Sequence, residues 1–208
     1  MFRLVILLFV AGLELCANPE LLFAQQSTSN SAAKHSSIGK AALETGSLAD
    51  GVYRNSYFHF SYRQPYGWVD RTEEMRAESD TEKSKVLLAL FERPPAAPGD
   101  TVNSAVVIAA ESTASYPGLK TAADYFVPLT EIVQSKGFKP LNDPYEFPVD
   151  GWPIVRRDFT KDATGVSMHQ SSLVMLAKGY AVSFTFIAAN DDDIVELIEK
   201  LSFRKKTR

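Results

Sequence analysis

The chain has 208 residues, of which 22 are basic and 25 acidic, giving a formal charge of −3 with histidine counted neutral. That balance excludes the concentrated basic face of a nucleic-acid binder, so no nucleic-acid partner is expected. Cys16 is the only cysteine, which excludes an internal disulfide.

Met1–Arg3 is a short positive start, and Leu4–Leu13 is an uncharged apolar run. The run is too short to cross a bilayer as a helix but long enough for the core of a secretory signal. The preferred cut follows Ala24, where a small residue precedes Gln25-Gln26, giving a signal peptide over 1–24. Cys16 invites a lipid anchor, but Leu13, Glu14 and Leu15 place bulk and charge where a lipobox carries small residues, so no anchor is expected. The mature protein is then secreted or periplasmic, has no transmembrane helix, carries a net charge of about −2 and retains no thiol nucleophile. It has to rest on an apolar core, and a domain of about 150 residues buries roughly 68–70% of the surface of its unfolded chain.

One globular domain is placed over 51–203. Before it, residues 25–50 form a tether: Gln25–Ser37 is rich in Ser, Gln, Asn and Ala and lacks a large apolar side chain. Ala41–Leu48 offers at most a helical turn or two. In the domain, Phe58, Phe60 and Tyr62 alternate with Tyr57, His59 and Ser61, the pattern of a half-buried strand. Gln64-Pro65-Tyr66-Gly67 supplies a turn before Trp68-Val69. Lys85–Phe91 and Ser104–Ala110 are continuous apolar runs, the pattern of central strands covered on both faces. Glu92–Asp100 between them carries three prolines and reads as a loop or sheet edge.

Thr121 with Asp124 forms a capping box, and Ala122, Tyr125, Phe126, Leu129, Ile132 and Val133 make a helical apolar stripe closed by Gly137 and Pro140. Pro128 lies inside it and demands a kink or a restart. Three antiparallel strands follow: Trp152–Thr160, a turn at Lys161–Gly165, Val166–Ala177, a tight turn at Lys178-Gly179, and Tyr180–Ala188. If Lys178 and Gly179 are the loop residues, Leu173 faces Phe184 and Met175 faces Val182, leaving Ser183 and Thr185 on the other face. Asn190 caps a last helix whose inward stripe is Ile194, Leu197, Ile198 and Leu201. The basic tail 204–208 complements that helix's negative end. The expected class is α+β, an antiparallel sheet flanked by helices.

Within GVYRNSYFHFSYRQPYGW, the residues Gly51, Asn55, Phe60, Tyr62, Pro65, Gly67 and Trp68 resemble the opening strand and turn of PsbP-like domains. GYAVSFTF followed by NDDDIVELIEKLSF is similar to their closing strand and helix. The resemblance implies an α/β/α sandwich and proteins that bind or help to assemble partners rather than catalyse. It carries over no metal ligand.

Chemistry-bearing residues are few. His59 and His169 are the only histidines of 51–203, and no Gly-x-Ser-x-Gly elbow holds a serine in a strained turn. Pairing across Lys161–Gly165 could bring Arg157 beside His169, so a pocket near His59, Arg157 and His169 is the expectation for a hydrolase or small-ligand protein. Asp191-Asp192-Asp193 run consecutively into a helix and read as its cap rather than as a calcium loop, so no metal and no cofactor is expected. Tyr57, Tyr66, Trp68 and Trp152 lie in or beside turns, where they either form a binding surface or fill the core and its rim. The leading reading is an exported, non-catalytic binding or assembly factor with an unknown protein or small-molecule partner.

Overall fold

Strands without a polar face need cover on both sides, and the two apolar runs pair side by side in an eight-stranded sheet that receives it, the first of them next to its edge. The structure, a computed structural model, describes residues 43–94, 101–163 and 165–204. The expected signal peptide, most of the expected tether, 95–100 of the proline-rich segment and 205–208 of the basic tail lie outside the described residues.

In chain order the elements are β1 (Ser47–Ala49), β2 (Val52–Asn55), β3 (Phe60–Arg63), β4 (Val69–Asp70), α1 (Thr72–Ser79), β5 (Ser84–Phe91) and β6 (Ala105–Ser112). There follow α2 (Phe126–Ser135), β7 (Lys139–Pro140), β8 (Tyr145–Glu146), β9 (Val155–Ala163), β10 (Val166–Ala177), β11 (Tyr180–Ala188), α3 (Asp191–Ile198) and β12 (Leu201–Phe203). The large sheet runs β4-β5-β6-β11-β10-β9-β7 with β8 beside β9, and a small sheet runs β1-β2-β3-β12. Every pairing in both sheets is antiparallel, so the fold is α+β. Among the described residues no helix is long and apolar enough to cross a membrane.

On one face of the large sheet, Ile108, Leu173, Val182 and Phe184 pack with Phe60, Tyr62 and Phe203 of the small sheet and Ile194, Leu197 and Ile198 of α3. On the other, Ala89, Phe91, Val174 and Ile187 pack with Met75 of α1 and Phe126, Leu129 and Val133 of α2. The β10–β11 hairpin has the expected register, with Ala177 opposite Tyr180, Leu173 opposite Phe184 and Met175 opposite Val182. Lys178 and Gly179 both take positive φ, 52° and 81°, which matches a two-residue hairpin to the strand twist. Ser183 and Thr185 do fall on the other face, yet both are buried because helices cover that side too.

The expected break at Pro128 is a restart. Val127 N–H donates to the Asp124 carbonyl three residues back, and regular helix begins at Phe126, so Pro128 lies in the first turn where its missing N–H costs no intrahelical bond. Thr121 and Asp124 bond reciprocally as a capping box, but they brace the turn before α2 rather than its first residue. Gly137, at φ 86°, ends the helix with bonds from Gly137 N–H to Gln134 O and from Phe138 N–H to Val133 O.

Several boundaries differ from the expectation, each for a local reason. Ser47–Ala49, placed in the expected tether, pairs with β2 as a strand rather than turning as a helix. That pairing needs a close approach: Gly46 sits at φ 75°, and a Cβ there would lie 2.6 Å from both the Arg54 carbonyl and the Tyr53 hydroxyl. The strand expected from Tyr57 begins at Phe60, because His59 turns through φ 62°, although Phe58, Phe60 and Tyr62 are all buried. The strand expected over Trp152–Thr160 runs instead over Val155–Ala163 and continues through the expected turn until Ala163 faces Val166. After α3 the chain turns into β12, with Phe203 opposite Phe60, so Arg204 follows a strand rather than a helix end.

Helix α1 has no amphipathic signal, because Met75 is the only large apolar residue of TEEMRAES. It exists to cover an edge. Arg76 Nε and Nη2 donate to Val86 O (2.8 Å) and Leu87 O (3.0 Å), and Val86 N–H donates to Asp80 Oδ1 (2.8 Å). Ala89 N–H donates to Thr72 Oγ1 (3.0 Å), while Arg71 N–H reaches Ala89 O (2.9 Å). The β5 backbone beyond short β4 is thereby satisfied without another strand.

The opposite edge is tied by Asp158 of β9. Its carboxylate accepts from Arg156 Nε (2.7 Å), Asn142 Nδ2 (2.8 Å), Ser171 Oγ (2.8 Å) and the Tyr145 hydroxyl (3.1 Å). Burial pushes its pKa upward, but the hydrogen bonds from Asn142, Arg156 and Ser171 outweigh burial and hold it below the usual carboxylate value. Two outcomes follow for denaturant unfolding. Phe184→Ala, between Ile108 and Leu173, should cost about 3–5 kcal/mol. Asp158→Ala should cost about 1.5–3 kcal/mol at pH 7. Because the folded-state value lies below the unfolded one, that second difference is present above about pH 4 and shrinks as pH falls through the lowered value.

Candidate functional site

Residues 105, 107, 109 and 111 of β6 point to the helix-bearing face by strand alternation, and the last of them is a glutamate instead of an apolar residue. Glu111 is only 3% exposed. Ser84 lies opposite it on β5, with its hydroxyl 3.5 Å from Oε1, too long for a strong bond. The short 3-10 turn Thr113–Ser115 after β6, closed by Tyr116 N–H to Thr113 O (3.0 Å), returns Tyr116 so that its hydroxyl donates to Glu111 Oε2. Tyr125, just before α2, meets the Tyr116 ring edge-on with centroids 5.3 Å apart. Its hydroxyl is wholly buried in the field of Glu111 and Tyr116, yet makes no hydrogen bond of good geometry.

Burial raises Glu111 above the ordinary carboxylate range, against the hydroxyl hydrogen bonds that favour its charged form. Burial first, and then the neighbouring carboxylate, push both tyrosine hydroxyls up, so they remain donors. Above Glu111 and Tyr116 opens a groove of about 1150 Å³ between Thr81–Ser84, the 114–119 loop and α2. Its walls are apolar at Leu119, Val127 and Ile132, and Val127 is 66% exposed. The arrangement has a desolvated carboxyl floor, hydroxyl donors and greasy walls. It can hold a ligand.

The residues singled out from sequence are dispersed. Register puts Ser172 opposite Arg157 and Thr160 opposite His169, so Arg157 and His169 lie on opposite faces of the sheet. Arg157 clamps α2 to the following loop, donating to Thr130 Oγ1 (2.8 Å) and Asn142 O (2.9 Å). His169 Nδ1 is 2.7 Å from Asp191 Oδ1 at the start of α3, and its Nε2 is 3.5 Å from Ser167 Oγ. In that Ser–His–Asp chain Ser167 and Asp191 are exposed and His169 is half-buried, and Ser167 sits in the regular β10 ladder opposite Asp162 rather than in a strained turn. His59 is exposed in the turn before β3 with its ring 6.3 Å from Trp152. The expected pocket joining His59, Arg157 and His169 is therefore not formed, because the hairpin extends beyond Thr160 and shifts which residues face one another.

The turn aromatics divide between rim and surface. Trp68 and Trp152 are half-buried against the small-sheet side of the core, and Trp152 stacks on Phe203 with centroids 5.3 Å apart. Its indole N–H donates to Arg204 O (3.2 Å). Tyr57 packs against the same cluster, whereas Tyr66 stands fully exposed at the Pro65–Trp68 turn. Asp191–Asp193 occupy the first turn of α3, and Asn190 Oδ1 accepts from Asp193 N–H (2.9 Å). Among the described residues no three His, Cys, Asp or Glu side chains are grouped to hold a metal ion.

Glu111, Tyr116 and Tyr125 escaped the sequence reading. The available signal was Glu111 itself, an acid at the end of a strand whose preceding residues are apolar on both faces. That Tyr116 and Tyr125 fold back over it depends on the turns after β6, which carry no motif.

No protein-family model matches the chain, and no curated protein matches it. Among solved structures, cyanobacterial PsbP from Synechocystis sp. PCC 6803 is similar at 14% identity, covering 76% of this chain and 98% of that one, with a TM-score of 0.49. A protein of unknown function from Pseudomonas aeruginosa is similar at 16% identity, 70% and 86% coverage and a TM-score of 0.39. LpqN, involved in cell envelope biogenesis of Mycobacterium tuberculosis, is similar at 13% identity, 69% and 82% coverage and a TM-score of 0.36. Likenesses of this strength carry no argument about function, and the α+β class stands on the chain's own sheets and helices.

Proposed function

We propose that this protein is an exported, non-catalytic binding or assembly module, a divergent PsbP-like domain, whose ligand occupies the groove over Glu111. One observation carries the reading: a roomy open groove with apolar walls has a buried ionisable group as its floor. Export is supported by the charged start and the Leu4–Leu13 run. The PsbP-like kinship is supported by the residues that build β2, β3 and the Pro65–Trp68 turn, and by the sequence of β11 and α3. Absence of catalysis is supported by the separation of Arg157 from His169 and by the regular strand that carries Ser167.

The test is a small-fragment screen read by amide chemical shifts on the whole protein. Hits should cluster on residues 81–84, 111–119 and 124–132. Val127→Arg, on the exposed wall, should abolish those shifts while changing stability by no more than about 0.5 kcal/mol. Hits scattered over the surface would overturn the site. Labelling of Ser167 by a fluorophosphonate probe, lost in His169→Ala, would replace binding by hydrolysis.

A further inference from the structure

Resting on that binding reading, we propose that the groove takes an organic cation: an ammonium group seated on Glu111, with an apolar body along α2.

Three observations point there independently. First, Glu111 has no ion-pair partner among the described residues, although a carboxylate offers about four acceptor sites. Its contacts are hydroxyls, from Tyr116 and, at 3.5 Å, Ser84. A buried carboxyl without a counter-charge is costly, and an incoming cation that pairs with it removes that cost. Second, the Tyr125 hydroxyl, wholly buried in the field of Glu111 and Tyr116, makes no hydrogen bond of good geometry. A donor group seated at Glu111 would supply one. Third, the rim carries Glu82, Asp124 and Glu131 against Lys83, with Lys120 beside Asp124, so together with Glu111 the acids outnumber the bases and the field at the mouth favours positive ligands over anions.

The acids on the rim would attract any cation, but the floor and walls are more selective. A small hydrated metal ion would leave Leu119, Val127 and Ile132 uncovered, whereas an alkyl or aryl body buries them.

The experiment titrates the whole protein with hexylammonium, hexanol and hexanoate, probes of equal length that differ in charge, and follows amide shifts in the groove. Hexylammonium should bind at least about tenfold more tightly than hexanol, and hexanoate more weakly than either. Glu111→Gln, which preserves an acceptor for Tyr116, should bring hexylammonium down to the level of hexanol. The probe comparison on the unaltered protein decides the matter even if that variant does not fold. Equal binding of the three, or a preference for hexanoate, overturns the cation while leaving the groove a binding site. A preference that survives Glu111→Gln overturns the seat, because the rim acids alone would then attract the probe. No groove shifts with any probe overturns both the cation and the binding reading.

Discussion

Burial of both faces of β11 is the constraint from which the other features follow. Phe184 lies between Ile108 and Leu173 in register and meets Phe60 edge-on at 5.0 Å, while the alternate residues Ser183 and Thr185 face the helices. A slip of one residue would drive those hydroxyls among the aromatics of the small sheet and push phenylalanines under α2. With no disulfide in the described domain, this pair of apolar contacts and its fixed register hold the layers together. The small sheet and α3 cover one side, and α1 and α2 cover the other.

Covering a sheet on both faces leaves its edges as the remaining problem, and each is met by two-residue strands supplemented by polar side chains. On β5 the guanidinium of Arg76 and the carboxylate of Asp80 satisfy backbone groups that β4 is too short to reach. On β9 the Asp158 cluster and Arg157 fasten the 141–146 segment and α2. Both devices use charged groups with several partners, for which the loss of one bond leaves a desolvated charge behind.

The groove arises where the helical cover is incomplete. Regular helix starts only at Phe126, and the turns between Thr113 and Tyr125 arch over the Ser84–Glu111 end of the sheet without filling it. A carboxyl is tolerable there because open space and two hydroxyls stand beside it. The same position deeper in the sheet would demand an apolar side chain. Site and fold are thus linked: the restart that accommodates Pro128 also sets the near wall of the groove.

Periodicity and turn chemistry made much of the fold legible. The central strands, the Lys178-Gly179 hairpin and its register, the Asn190 cap and the stripe of α3 all follow from local rules, since each depends on residues close in sequence. Helix α1 and strands β1 and β12 were not legible. They are short and weakly patterned, and they form because a distant edge or face needs them. The site divided in the same way. Sequence could single out histidines, arginine and turn aromatics as chemistry-bearing types, but not which of them meet, because one extension of the β9–β10 hairpin put Arg157 and His169 on opposite faces. By itself the sequence determined an α+β domain built on apolar burial. Only the tertiary structure decided that Glu111, Tyr116 and Tyr125 share one buried corner, because no local pattern encodes how a turn folds a side chain back over a neighbouring strand.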